Sequence, residues 1–117
     1  MSDKPHYTVA HVGVNTESSE EAYALVDQFC YLFNVERRGD KPGNVFAGDI
    51  IEVMKHSQRG KHGHIGLRTP DVEAAMADLA SKGITFQEDT IRRDENGKII
   101  FIYLQGDVGG FSIHLTT

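Results

Sequence analysis

With 117 residues, and twelve Lys and Arg against seventeen Asp and Glu for a formal charge of −5, the chain has room for one domain or two small units on a shared core. The acidic balance argues against a broad nucleic-acid footprint, and a single cysteine, Cys30, excludes an intramolecular disulfide framework. No stretch nears the roughly 18 apolar residues of a membrane span and no secretory leader is evident, so no membrane contact is expected and cytoplasm is the residual location.

Residues 7–15 read as a strand from their β-branched and aromatic content. A helix is expected next, capped by Ser18 or Ser19, with Glu20 and Glu21 in its first turn and Ala22, Leu25, Val26, Phe29 and Phe33 as its apolar stripe. Asn34 closes it, and Cys30 lies inside it as a buried thiol. Short strands fit 35–38, 44–47 and 50–55, with turns at Gly39 to Gly43 and at Gly48-Asp49. His56 to Gly60 reads as a polar linker.

The order then starts again, with a strand at 61–68 and a second helix that Thr69 would cap and Pro70 would open. Val72, Ala75, Met76 and Leu79 form its stripe and Gly83 stops it. Strands at 85–92 and 98–104 flank an Asn-Gly turn, and Phe111 to Thr116 is the last strand. A strand, a helix and three strands therefore occur twice, as one unit over about 6–56 and another over about 61–117 within a single domain, 1–117. The Arg37-Arg38 and Arg92-Arg93 pairs are too short for a nucleic-acid patch and would hold an anionic ligand only on reaching a cleft.

The two units open on matching strands, His11-Val-Gly-Val and His64-Ile-Gly-Leu, and close on apolar strands that carry Glu52 and His114. Alternation places His11 with Val9, Gly13 and Asn15 on one face, and His64 with His62, Gly66 and Arg68. Glu52 stands with Ile50 and Met54, and His114 with Ser112 and Thr116. The opposite faces are apolar and suit helix packing. Glycine beside both leading histidines would leave space above the sheet for a ligand. Together, three imidazoles and a carboxylate at corresponding strand positions form a donor set for a borderline divalent ion: Zn, Ni, Co, Mn or Fe. His62 would be an alternate or supporting ligand; His64 alone aligns with His11. His56 and His6 read as surface.

These landmarks carry a family resemblance. HVGV, GHIGL, PDVEAAMADLASKGI, GDIIEVM and GGFSIHL, in that order, resemble the vicinal oxygen chelate superfamily, which includes glyoxalase I, fosfomycin and bleomycin resistance proteins and extradiol dioxygenases. More narrowly, GKHGHIGLRT and GGFSIHL resemble the glyoxalase-like module that accompanies aldolases for 2-keto-3-deoxy-6-phosphogluconate and 4-hydroxy-2-oxoglutarate. The resemblance implies an α+β fold of paired βαβββ modules with curved mixed sheets facing one another. It also implies metal ligation by His11, Glu52, His64 and His114. A homodimer is implied too, in which the first unit of one chain would complete its cup with the second unit of the other.

The function so implied is a divalent-metal-dependent lyase or isomerase acting on a small α-oxo or α-hydroxy carbonyl compound, with a keto sugar acid as one candidate. Glu52 or His114 would move a proton, while Asn15 and Arg68 would orient substrate oxygens; Tyr103 is given no catalytic part. His114 stands where glutamate is common in the superfamily, which separates this chain from a standard lactoylglutathione lyase. The alternative is a noncatalytic module that binds a metabolite and regulates or accompanies an aldolase.

Overall fold

A computed structural model describes residues 4–117. The first unit comprises β1 (Thr8–Asn15), α1 (Ser19–Phe33), β2 (Arg37–Arg38), β3 (Asn44–Ala47) and β4 (Ile51–Met54). The second comprises β5 (Gly63–Arg68), α2 (Val72–Ser81), β6 (Phe86–Arg93), β7 (Ile99–Val108) and β8 (Phe111–Thr116). This is the α+β, twice-βαβββ architecture expected from the sequence.

Local chemistry explains the helix ends. Ser18 caps α1 by accepting a hydrogen bond from the Glu21 N–H at 3.0 Å, and Asn34 ends it in the left-handed region at φ 57°. For α2 the cap is Asp71, which accepts from the Ala74 N–H at 3.0 Å, rather than Thr69. Thr69 still continues the β5–β8 pairing, its buried N–H donating to the Thr116 carbonyl, so the chain turns into the helix two residues later.

The strands form one eight-stranded sheet in the order β2-β3-β4-β1-β5-β8-β7-β6. Each unit contributes four neighbouring strands, and the halves join where β1 runs antiparallel to β5. The two units thus share a continuous curved sheet instead of presenting separate sheets to one another.

One face carries the helices and two cores. Ala22 and Val26 of α1 pack on Val45, Ala47 and Val53; Val72 and Ala75 of α2 pack with Ile102, Leu104, Ile113 and Leu115. Each fully buried valine, leucine or isoleucine side chain here contributes roughly 1.5–3 kcal/mol relative to exposure. Phe33, expected in the stripe, is 64% exposed, because the 15-residue α1 outruns the four-residue strands beneath it. Two further differences come from a bulge and a glycine. The β1–β5 register shifts between Val9 and His11, so Val9 pairs with Leu67 and leaves the face that His11 shares with Gly66. Gly63, at φ 146°, opens β5 after His62, whose ring lies over Gly110 and 5.7 Å from that of Phe111.

Candidate metal centre and adjoining cleft

The face opposite the helices brings four of the expected residues together. His11 lies across from Gly66 and His64 across from Gly13 in the β1–β5 ladder; Glu52 pairs with Gly13 through β4, and His114 with Gly66 through β8. Each glycine therefore sits between two of the four residues. A Cβ on Gly13 would overlap the His64 ring, and one on Gly66 would come within 2.7 Å of His114 and 2.9 Å of His11. The room left by glycine seats the imidazoles themselves, not a ligand as the sequence suggested.

His11 Nε2 stands 3.2 Å from His64 Nε2 and 3.1 Å from His114 Nε2. Glu52 Oε1 is 2.9 Å from His64 Nε2 and 3.6 Å from His11 Nε2. A ring nitrogen carries one proton or one lone pair, so His11 Nε2 can serve only one of its two imidazole contacts as an in-plane hydrogen bond. A shared cation satisfies both. Nitrogens about 2.1 Å from a common ion stand roughly 3.0 Å apart in octahedral and roughly 3.4 Å apart in tetrahedral geometry, and both spacings from His11 fall between. The buried His64 and His114 and the half-buried His11 thus form a three-histidine cluster with the chemistry and spacing to hold a divalent ion. His62 lies outside it. The cluster closes within one chain because β1 and β5 of the same chain are hydrogen-bonded neighbours.

The surroundings fix the donors. Asn44 Nδ2 donates to Glu52 Oε2 at 2.6 Å. Burial pushes the Glu52 carboxyl up, but the His64 hydrogen bond, His64 and His11 charge and the Asn44 amide outweigh it and hold it below the usual range. Burial holds His11 below the ordinary imidazole value, opposed by Glu52 and reinforced by His64 and Arg68. His114 is lowered to about 4, by burial first and then by the neighbouring His11 and His64. The His114 ring stacks on Phe101 with centroids 4.5 Å apart and meets the edge of Tyr103 at 5.0 Å.

Beside the cluster the same face opens into a polar cleft of about 410 Å³ whose lining includes His64, Arg59, Arg92, Phe101 and Tyr103. The Arg59 guanidinium lies 3.9 Å from the Tyr103 ring centroid and donates to Gln87 Oε1 at 2.9 Å; that of Arg92 lies 4.4 Å from the Phe101 centroid. Asn15, expected to orient substrate oxygens, donates through Nδ2 to the Arg59 and Gly60 carbonyls at 3.3 and 3.2 Å and fastens that loop to β1. Arg68 is exposed at the end of β5, beside a separate cleft with Thr8 and Thr117. Asn44, Arg59 and Gln87 had no marker in the sequence: Arg59 lay in an apparent linker, and the other two acquire meaning only from strand register.

No known family model and no curated protein matches this chain. Solved structures do. A Streptomyces coelicolor methylmalonyl-CoA epimerase variant in complex with 2-nitronate-propionyl-CoA has a TM-score of 0.59 at 18% identity over 93% of this chain and 95% of that one. The Mycobacterium tuberculosis methylmalonyl-CoA epimerase has a TM-score of 0.56 at 16% identity, over 92% and 85%. A hypothetical protein from Bacillus halodurans has a TM-score of 0.61 at 15% identity, over 94% and 93%. At these identities the likeness shows a shared fold over nearly the whole chain. Among the described residues, no helix is long and apolar enough to cross a membrane.

Proposed function

We propose that the chain is a divalent-metal-dependent isomerase or epimerase-type enzyme, acting on a small compound whose carbonyl stands beside a second oxygen. The observation that carries this reading is the meeting of three imidazole Nε2 atoms and Glu52 Oε1 beside an open cleft that His64 lines. His11, Glu52, His64 and His114 would hold the ion, with Zn, Ni, Co, Mn and Fe all compatible with that donor set. When bound, such an ion acts as a Lewis acid: it grips adjacent oxygens, polarises the carbonyl and acidifies the neighbouring C–H.

The chain's own residues supply the rest. Glu52 is the better placed proton carrier: Asn44 anchors Oε2, and Oε1, once released from the ion, would face the cluster to take and return a proton. His114 is the second candidate, on the same condition that its Nε2 leaves the ion, with its ring held in place by Phe101. Asn15 acts through the loop that bears Arg59, and Arg68 stands outside the cleft at the end of β5, with its charge felt at His11. The epimerase names of the structural neighbours agree with proton transfer beside a carbonyl. A keto sugar acid substrate, cytoplasmic location, a homodimer and an aldolase partner are the finer parts of this proposal, carried by the sequence resemblance.

The test is solvent exchange. Metal-loaded protein in D2O is incubated with 2-oxo acids, keto sugar acids, glutathione hemithioacetals and acyl-CoA thioesters, and α-deuteration is followed by NMR. Metal-dependent exchange that Glu52→Gln abolishes while metal stays bound supports the enzyme. Saturable binding with no exchange or product for any metal overturns it in favour of the noncatalytic, regulatory module.

A further inference from the structure

Four of the chain's arginines show how differently it treats this side chain. Arg37 and Arg38 are neutralised on the surface by Asp27 and Asp49, each at 2.6 Å. Arg59 and Arg92 pair with no carboxylate among the described residues, and each is instead spread over an aromatic face that turns it toward the cleft. Ring stacking orients a guanidinium without consuming its charge or all five of its donors. Gln87 fixes one edge of Arg59, and Asn15 fixes its backbone. Asp89 is the one acidic residue on the cleft wall, against the two guanidinium groups of the half-buried Arg59 and the exposed Arg92, so the local balance is cationic.

The sheet sets the separation. His114, the Phe101–Tyr103 pair and Arg92 belong to three successive strands, β8, β7 and β6, with Tyr103 opposite His114 and Arg92 opposite Phe101. Two strand spacings amount to about 10 Å, shortened by the reach of the arginine side chains. A ligand of several heavy atoms spans that gap.

We propose that Arg59 and Arg92, held on Tyr103 and Phe101, form an oxyanion subsite that receives the distal carboxylate or phosphate of the ligand whose other end lies on the histidine cluster. The planar guanidinium fork matches either group and makes charge-assisted, bidentate bonds to it. The assignment of substrate class, a carbonyl compound bearing a remote anionic group, rests on the metal-centred reading above. The subsite itself does not.

The experiment therefore uses chelator-treated protein at low ionic strength, titrated calorimetrically with inorganic phosphate and with malonate. Saturable binding of at least one, weakened about tenfold by Arg59→Gln and by Arg92→Gln, is expected. Arg92→Lys should recover only part of it, because the charge returns without the fork. Arg37→Gln, which removes an equal charge elsewhere, should leave binding unchanged, and circular dichroism melts confirm that each variant is folded. Tighter phosphate binding assigns a phosphorylated ligand, and tighter malonate binding a second carboxylate. Absence of saturation by either anion, or equal weakening by Arg37→Gln and Arg92→Gln, overturns the subsite. Failure to bind metal would sink the metal-centred reading and leave these titrations unchanged.

Discussion

The imidazole of His64 lies over Gly13, in the space that a Cβ at position 13 would occupy, and the same strand residue faces Glu52 on its other side. Gly66 repeats the arrangement between His11 and His114. The His-x-Gly pattern is thus a reciprocal device, in which each opening strand supplies one donor and the gap that seats the other strand's donor.

Alanine at either glycine should therefore act on the site first. Gly13→Ala drives a methyl group into the His64 ring, and Gly66→Ala crowds His114 and His11. We expect each to cost about 1–3 kcal/mol in urea unfolding and to weaken divalent-ion binding in calorimetry. Unchanged metal affinity in both variants would refute the seating role.

Asn44 should matter to the ion without touching it. Its amide holds Glu52 Oε2 at 2.6 Å, so Asn44→Ala frees the carboxylate to rotate. Metal affinity measured by competition with a chromophoric chelator should drop about 10- to 100-fold. An unaltered affinity would mean that Glu52 is oriented by the histidines alone.

A pH effect belongs to a different network. Asp40 accepts hydrogen bonds from Lys55 at 2.6 Å and from Tyr23 at 2.9 Å, tying the turn before β3 to the end of β4 and to α1. The Lys55 bond, then that of Tyr23, holds its carboxyl below the ordinary range. The stabilisation is present above the unfolded carboxyl value and lost as pH falls through the lower folded one. Asp40→Asn should lower the thermal midpoint at pH 7, and the gap from wild type should close on acidification below about 4. A gap that stays constant down to pH 2 would contradict this.

The sequence made both helices, all eight strands and the four converging residues legible, because period-2 alternation and the repeated His-x-Gly survive as local patterns. Details that depend on register did not. The bulge at Ala10 turned Val9 to the other face, and a pairing of Thr69 with Thr116 moved the cap to Asp71. The side-by-side joining of the two units through β1 and β5 is a long-range pairing with no local signature. Arg92 was visible as one of a basic pair, but whether it met a cleft depended on Phe101 across the ladder.

The most direct test of the central claim is the metal content of tag-free protein after loading with Zn, Ni, Co, Mn or Fe and removal of excess ion. Plasma mass spectrometry on the wild type and on His11→Ala and His64→Ala should find about one equivalent per chain in the wild type, and a large loss in both variants. Less than about 0.2 equivalent in the loaded wild type, with no change on replacing either histidine, would contradict the account.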